Sequence, residues 1–226
     1  MMTQQRGTSI PEVLTVTVII GMLLSTMVVI VPLLVKSPLQ MQSQVDQVNT
    51  AAIALYKIRR DFSEGDTNGV MGCTTTPVVS CAAVGATPAP VQALVVATAE
   101  NSSGAFQVET APGPTSGYPN WQGYYVYWLV PNGAGTSYDL MRAWQGATLG
   151  IGPGGVPTGV TAASAETALT TALAISPAPV LTNYITSMSL GDASSASTIN
   201  FELMAGTTGG ADQTQTTFQG GTYARN

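Results

Sequence analysis

The sequence predicts an α+β protein in which a long N-terminal α-helix, apolar enough in its first half to span a membrane, packs on an antiparallel β-sheet domain. Three observations predict this fold. An uncharged apolar block runs from Val13 to Val35, and apolar residues then recur with helical spacing as far as Phe62. The rest of the chain alternates short β-branched and aromatic runs with Gly, Pro, Asn and Ser. The 226 residues suffice for one such domain.

The apolar block has the length of a membrane span. At about 1.5 Å per residue, a helix from Val13 to Val35 crosses a hydrocarbon core of about 30 Å. Arg6 precedes the block and the polar remainder follows it, which favours a cytoplasmic N-terminus, although Lys36 reduces the charge asymmetry. A cleaved secretory signal is the alternative. However, the apolar block is too long for a signal peptide, and residues 35–38 do not resemble a signal-peptide cleavage site.

Glu12, at the edge of this block, has a local explanation. Ser9 and Glu12 have the spacing of a capping box, a carboxylate suits a helix N-terminus, and Pro11 is tolerated in a first turn.

Considered together, these residues resemble the leader and first helix of type IV pilins and pseudopilins. In that family a short charged leader ends in Gly, and the mature helix carries Glu at its fifth position. The resemblance implies that residues 1–7 are a leader, that prepilin peptidase cleaves between Gly7 and Thr8, and that residues 8–35 form the transmembrane and assembly helix. It also implies that Glu12 pairs in a filament with the new α-ammonium of Thr8 on a neighbouring subunit.

The chain departs from the family pattern at three positions. Thr8 stands where the family commonly has Phe or Met, which leaves N-methylation of the mature chain open. Pro11 replaces Ile or Leu, and Pro32 lies beyond the usual helix-breaking proline.

The helix is predicted to continue over residues 36–64 as an amphipathic extension that ends at the Gly65 and Gly69 breakers. Its predicted apolar face consists of Met41, Val45, Val48, Ala52, Leu55, Ile58 and Phe62.

Residues 65–226 are predicted to form an extracytoplasmic β-rich head. The predicted strands are Val91–Ala99, Phe106–Glu109, Gln122–Val130, Tyr138–Trp144, Tyr184–Leu190, Ile199–Met204 and Thr216–Ala224. The Gly/Pro-rich segment 146–179 is interpreted as an insertion or surface loop, with a short helix over Ala162–Ala174.

Three places in the head resemble W-type minor pilins and J-type minor pseudopilins: Leu55–Asp61, Val126–Arg142 with its Tyr…Leu-x-Arg pattern, and the terminal residues 223–226. The resemblance implies a helix capped by antiparallel sheet, in a small complex at a filament tip that initiates assembly. The implied partners are other pilin or pseudopilin subunits, prepilin peptidase and the inner membrane. The head would be periplasmic or extracellular.

The composition points away from several other functions. Only 8% of residues are charged, the net charge is −5, and there is no histidine. Without a basic stripe we expect no nucleic-acid partner. No Gly-x-Ser-x-Gly or phosphate-loop motif is present, so we expect neither an enzyme nor a cofactor. Convergence of Glu109, Asp139 and Glu202 in a carboxylate hydrolase is an alternative that no spacing supports.

Two further sites follow from residue type. Cys73 and Cys81 are predicted to form a local disulfide if this part is exported, whereas in a reducing compartment they would be two buried thiols. With no histidine and no further cysteine, zinc is not expected. The oxygen-rich set Asp61, Glu64, Asp66 and Asn68 is a weak calcium candidate, because its order does not match an EF-hand.

Two functional alternatives remain beside a filament subunit. One is a pilus-tip binding module, either an adhesin or a DNA receptor, and the other is a single-span anchored domain that does not polymerise. The sequence does not distinguish a pilus from a competence or type II secretion system.

Overall fold

The computed structural model describes residues 10–84, 89–132, 137–177, 179–192, 198–205 and 216–223. A single helix, α1, runs from Ile10 to Glu64, close to the predicted end of the long helix. The chain divides into two compact units, with the division after Asp46.

The first unit contains the apolar part of α1. Residues Ile10–Val28 have a mean hydropathy of 1.8, are long enough to cross a membrane, and none of them is buried within the chain. The hydroxyls in this stretch bond back to carbonyls one turn earlier at 2.7–3.0 Å, which removes their polarity from the helix surface: Thr15, Thr17, Ser25 and Thr26. The predicted apolar N-terminal helix is therefore confirmed.

The second unit is built on a nine-stranded antiparallel sheet. Its strands are β1 (Val70–Thr74), β2 (Ser80–Ala83), β3 (Ala89–Pro90), β4 (Ala93–Thr98), β5 (Gly123–Pro131), β6 (Tyr138–Gly146), β9 (Val180–Asp192), β10 (Thr198–Ala205) and β11 (Thr216–Tyr223). Eight of them follow the order β11-β10-β9-β6-β5-β4-β1-β2, and β3 pairs with β9. A separate ribbon pairs β7 (Gly150–Ile151) with β8 (Pro157–Thr158). The predicted α+β fold class is confirmed.

Six of the seven predicted strands are present within a few residues of their predicted bounds. The prediction for Phe106–Glu109 is wrong, since within 89–132 Phe106 and Val108 make only isolated bridges to Glu100 and Pro119. The sequence also missed β1 and β2, which are short and contain Gly, Thr and Ser.

Each face of the sheet has its own hydrophobic core. Along β5, Tyr124, Val126 and Trp128 belong to one core, while Tyr125 and Tyr127 belong to the other. This alternation follows from the two-residue period of a strand. Because both faces are covered, all six residues of β4 are buried.

The last turns of α1 cover one face with a ridge that matches the prediction only in part: Ile58 and Phe62 are buried and Leu55 packs against the same core, as predicted. The residues that are buried are Ala51, Ala54, Ile58, Asp61 and Phe62. Val45 and Val48 are 56% and 39% exposed, and Ala52 is exposed too. The burial of small Ala51 and Ala54 lets the helix lie close to the strands, and the correct ridge includes the charged Asp61, which a hydrophobic pattern cannot identify.

A second helix, α2 (Ala162–Leu173), covers the opposite face. The short helix predicted over 162–174 is confirmed, and Thr161 and Ser164 form a capping box at its start. Its buried residues pack against the strands: Ala165, Ala168, Leu169 and Ala172. This part of segment 146–179 is thus a layer of the core and not a surface loop.

Candidate functional site

The disulfide prediction is confirmed. Cys73 and Cys81 face each other directly across β1 and β2, with their Cα atoms 4.1 Å apart. Both are buried in the core beneath α2, where the Cys81 amide donates to the Glu166 carboxylate at 3.1 Å. The bridge therefore fastens an edge strand to its neighbour as well as closing a loop.

The residues predicted for processing and assembly are only partly described. Gly7 and Thr8 lie outside the described residues, as does Ser9, so the cleavage site and the capping box stay predictions. Glu12 lies in the first turn of α1, and its side chain is exposed.

The calcium candidate residues do not converge on a common point. Asp61 points into the protein toward Arg142. Asp66 accepts hydrogen bonds from the backbone and side-chain nitrogens of Asn68, both at 2.8 Å, as in a tight turn. In the part of the chain that the structure describes, no three His, Cys, Asp or Glu residues are arranged to hold a metal ion.

Asp61 is instead the centre of a buried ionic cluster beneath the end of α1. Arg142 of β6 donates to Asp61 Oδ2 from Nη2 at 2.8 Å and from Nε at 3.0 Å, and the Tyr127 hydroxyl donates to the same oxygen. The guanidinium also lies over the Tyr125 ring, 3.7 Å from its centroid. The charge of Arg142 is thus satisfied by a carboxylate, a hydroxyl and an aromatic face.

The electrostatics of this cluster follow from its burial. Burial raises the pKa of the Asp61 carboxyl, and the Arg142 charge only partly offsets that rise. Burial and the adjacent carboxylate raise the pKa of the Tyr127 hydroxyl well above its usual value.

A second group of charges adjoins the first. The buried Glu100 carboxylate accepts from the Tyr125 hydroxyl and from Arg60 Nη2, the latter at 2.6 Å. Arg60 Nε donates to Glu64 Oε1 at 3.0 Å. Burial disfavours the ionised Glu100, but the Tyr125 and Arg60 contacts outweigh it and lower its pKa. Burial raises the pKa of Glu64, where the Arg60 hydrogen bond does not compensate fully.

These contacts join two segments that are far apart in the sequence and that each resemble minor pilins and pseudopilins. Asp61 ends the segment Leu55–Asp61, and Tyr127 and Arg142 belong to Val126–Arg142. Glu100 was missed, since a single acid after a strand carries no sequence signal of burial.

A cavity of about 400 Å³ opens beside this cluster. Three chain segments line it: the end of α1 with Glu64, Gly65 and Asp66, the segment with Tyr118, Pro119 and Trp121, and the turn with Gly154 and Gly155. Nothing in the sequence indicates this cavity, because its walls come from regions far apart in the chain.

No protein-family model, curated protein or solved structure matches this chain. An apolar N-terminal helix is followed by an antiparallel sheet with a disulfide, which is a pilin-like architecture. The apolar helix, as signal or anchor, and the disulfide together indicate a membrane or extracytoplasmic protein.

Proposed function

We propose that this chain is a minor pilin or pseudopilin, a structural subunit that initiates or caps a type IV pilus-like filament. The observation that carries the proposal is the part of α1 that lies in the first unit. It presents an apolar surface over Ile10–Val28, none of it buried within the chain, with the carboxylate of Glu12 in its first turn.

Such a surface needs an apolar environment. Met22, Leu23 and Met27 are at least 60% exposed, and each would gain about 1.5–3 kcal/mol on full burial. A bilayer supplies this environment before assembly, and the corresponding helices of neighbouring subunits supply it in a filament. One helix of this kind serves both states.

Glu12 gives the assembled state a specific register. Cleavage after Gly7 would create an α-ammonium on Thr8, whose ordinary pKa is about 8. An ammonium and a carboxylate are each costly alone in an apolar bundle and are compensated when they pair. Pairing of Thr8 on one subunit with Glu12 on the next therefore favours one axial offset between helices.

The head supports a minor subunit rather than a bulk one. Its Asp61–Arg142 contact connects two of the three segments that resemble W-type minor pilins and J-type minor pseudopilins. We infer a structural role without catalysis, in the inner membrane before assembly and with the head outside the cytoplasm.

The proposal is tested by following the chain into filaments. In a host that assembles the filament, wild type, Glu12→Gln and Glu109→Gln are expressed, and the chain is quantified in sheared filaments and in membranes. Glu109→Gln is the matched control, because it removes one partly exposed carboxylate outside the helix and keeps an oxygen that can accept from the Ala111 amide. We expect Glu12→Gln to remain in membranes and to be lost from filaments, while the control enters normally. Absence of the wild-type chain from filaments, or equal entry of Glu12→Gln, contradicts the proposal.

A further inference from the structure

The turn after β4 contains the sequence pattern of a modification site. Among the asparagines of this sequence, only Asn101 is followed two positions later by Ser or Thr, and the residue between them, Ser102, is not Pro. This pattern, the sequon, is the acceptor of N-glycosylation in exported chains. A sequon alone is short, and the geometry of the turn decides whether its amide can react.

Asn101 begins a tight turn at the surface of the head. Its backbone amide donates to the Ala105 carbonyl at 3.0 Å, and the Gly104 amide donates to the Asn101 carbonyl at 2.9 Å. Residues 102–106 are all exposed. A Cβ on Gly104 would approach no described atom beyond its chain neighbours closer than a Glu100 carboxylate oxygen at 3.9 Å. The turn therefore has open space around it for a bulky substituent.

The Asn101 side chain uses only its oxygen in the fold. Oδ1 accepts from the Ser103 amide at 3.0 Å, the Ser103 hydroxyl at 2.6 Å and the Ala105 amide at 3.1 Å, as in an Asx turn. Two of these donors are backbone N–H groups, which distinguishes Oδ1 from Nδ2. Within the described part of the chain, Nδ2 has no hydrogen-bond partner. The atom that N-glycosylation modifies is thus the one that the turn leaves unused.

The hydrogen bonds on Oδ1 also favour the chemistry. An amide nitrogen is a poor nucleophile because its lone pair is delocalised onto the oxygen, and bonding to a carbon requires the loss of an N–H proton. Donors aimed at Oδ1 stabilise the negative charge that this loss places on the oxygen. The glycosylated product keeps Oδ1 as a carbonyl, so it keeps the same three hydrogen bonds and fits the same turn.

We propose that Asn101 is an N-glycosylation site that accepts an oligosaccharide from a polyprenyl diphosphate donor. The bond formed joins Nδ2 to C1 of the first sugar, and the bond broken joins that C1 to a phosphate oxygen. The lipid diphosphate leaves with the electron pair, and a base of the transferase takes the Nδ2 proton. The site requires the head to lie outside the cytoplasm, as the Cys73–Cys81 disulfide indicates, but it does not require a filament.

The test is mass spectrometry of the chain purified in detergent from the cells that naturally produce it. Cleavage after glutamate releases residues 101–109, a peptide that begins at the acceptor. We expect this peptide to carry the mass of a glycan, with fragments that place it on Asn101. The state of Cys73 and Cys81 in the same sample reports export. An unmodified peptide from a chain with the disulfide overturns the proposal, and so does an unmodified peptide from a chain with free thiols, whose head would not reach the donor.

Variants separate N-glycosylation from other modifications of the turn. Ser103→Ala removes the sequon hydroxyl but keeps the backbone donor to Asn101, and Ser102→Ala is the matched control, since it changes an exposed serine of the same turn and leaves the sequon intact. We expect Ser103→Ala and Asn101→Gln to lose the glycan and Ser102→Ala to keep it at the wild-type level. The urea midpoint of each variant shows that the head is folded. A glycan that persists in Ser103→Ala, or one attached to a serine oxygen, contradicts the proposal and leaves the filament role of Glu12 untouched.

Discussion

Arg142 Nη2 lies 2.8 Å from Asp61 Oδ2, and this salt bridge joins β6 to the last turn of α1. Only 2% of the Asp61 side chain is exposed, so the pair is largely removed from water. A buried pair of this kind fixes one arrangement of helix and sheet, because either partner alone would be an uncompensated charge. The attachment of the helix to the head therefore depends on polar contacts as well as on hydrophobic burial.

The first prediction concerns this pair. Asp61→Asn keeps the shape of the side chain but removes the charge, and it leaves Arg142 without its carboxylate. We expect the free energy of unfolding of the head to fall by about 3 kcal/mol. The measurement is urea unfolding of the full-length chain in detergent, followed by tryptophan fluorescence. Glu109→Gln serves as the control and should change the value by no more than about 0.5 kcal/mol.

A double variant sharpens this prediction. If Asp61 and Arg142 interact directly, the losses in Asp61→Asn and Arg142→Gln will not add in the double variant. Additive losses would contradict a direct pair.

The second prediction concerns α2 as a layer of the core. Leu169 is fully buried beneath the helix, whereas Leu173 on the same helix is 40% exposed. Leu169→Ala should reduce the free energy of unfolding by about 3 kcal/mol through lost burial and the cavity it leaves. Leu173→Ala is the matched control, expected within about 0.5 kcal/mol of wild type. Equal and small effects of both would show that segment 146–179 is not part of the core.

The third prediction concerns the disulfide. Replacing both Cys73 and Cys81 by Ala removes a short cross-link from the unfolded chain and two buried sulfur atoms from the core. We expect a loss of about 2 kcal/mol or more in the free energy of unfolding. Wild type treated with a reductant should lose a similar amount, and a variant as stable as wild type would contradict the assignment of a stabilising bridge.

The fourth prediction is a loss of stability in alkali. Burial and Glu100 raise the pKa of Tyr125 to about 12, against about 10 in an unfolded chain. Above about pH 10 the unfolded state loses this proton and the folded state keeps it, so the free energy of unfolding falls as pH rises toward 12. Each such tyrosine contributes a slope of about 1.4 kcal/mol per pH unit.

Unfolding at about pH 9 and about pH 11 measures this slope, since the two values lie on either side of the ordinary tyrosine pKa. Tyr125→Phe should show a smaller slope than wild type. Identical slopes would mean that Tyr125 titrates normally in the folded head.

How far the sequence predicts this structure depends on the range of the interactions. The apolar helix and the aromatic strand β5 can be predicted from local patterns, because in both elements the type and spacing of neighbouring residues indicate the secondary structure and its burial. The first strands were missed because β1 and β2 are held by the Cys73–Cys81 bridge and by pairing with β4, both outside a local window.

The candidate sites show the same division. Type and spacing of residues predicted the disulfide correctly, since the two cysteines have few other partners. The same reasoning grouped Asp61 with a weak calcium candidate, and Asp61 is instead buried against Arg142, a residue far away in sequence. A charge in a helix pattern is assumed to face water, and only the tertiary structure shows which charge has a buried partner.

The most direct test of the filament-subunit proposal is the mass of the mature chain. The protein is extracted from membranes of cells with active prepilin peptidase and from matched cells without it, and the intact mass and N-terminal peptide are determined. We predict a chain that begins at Thr8 in the first sample and at Met1 in the second, and a Gly7→Asp variant that is not cleaved in either. An added methyl group on the first sample would show N-methylation of Thr8. A chain that keeps residues 1–7 in the presence of active peptidase, or that is cut beyond Val28 like a secretory signal, would contradict the proposal.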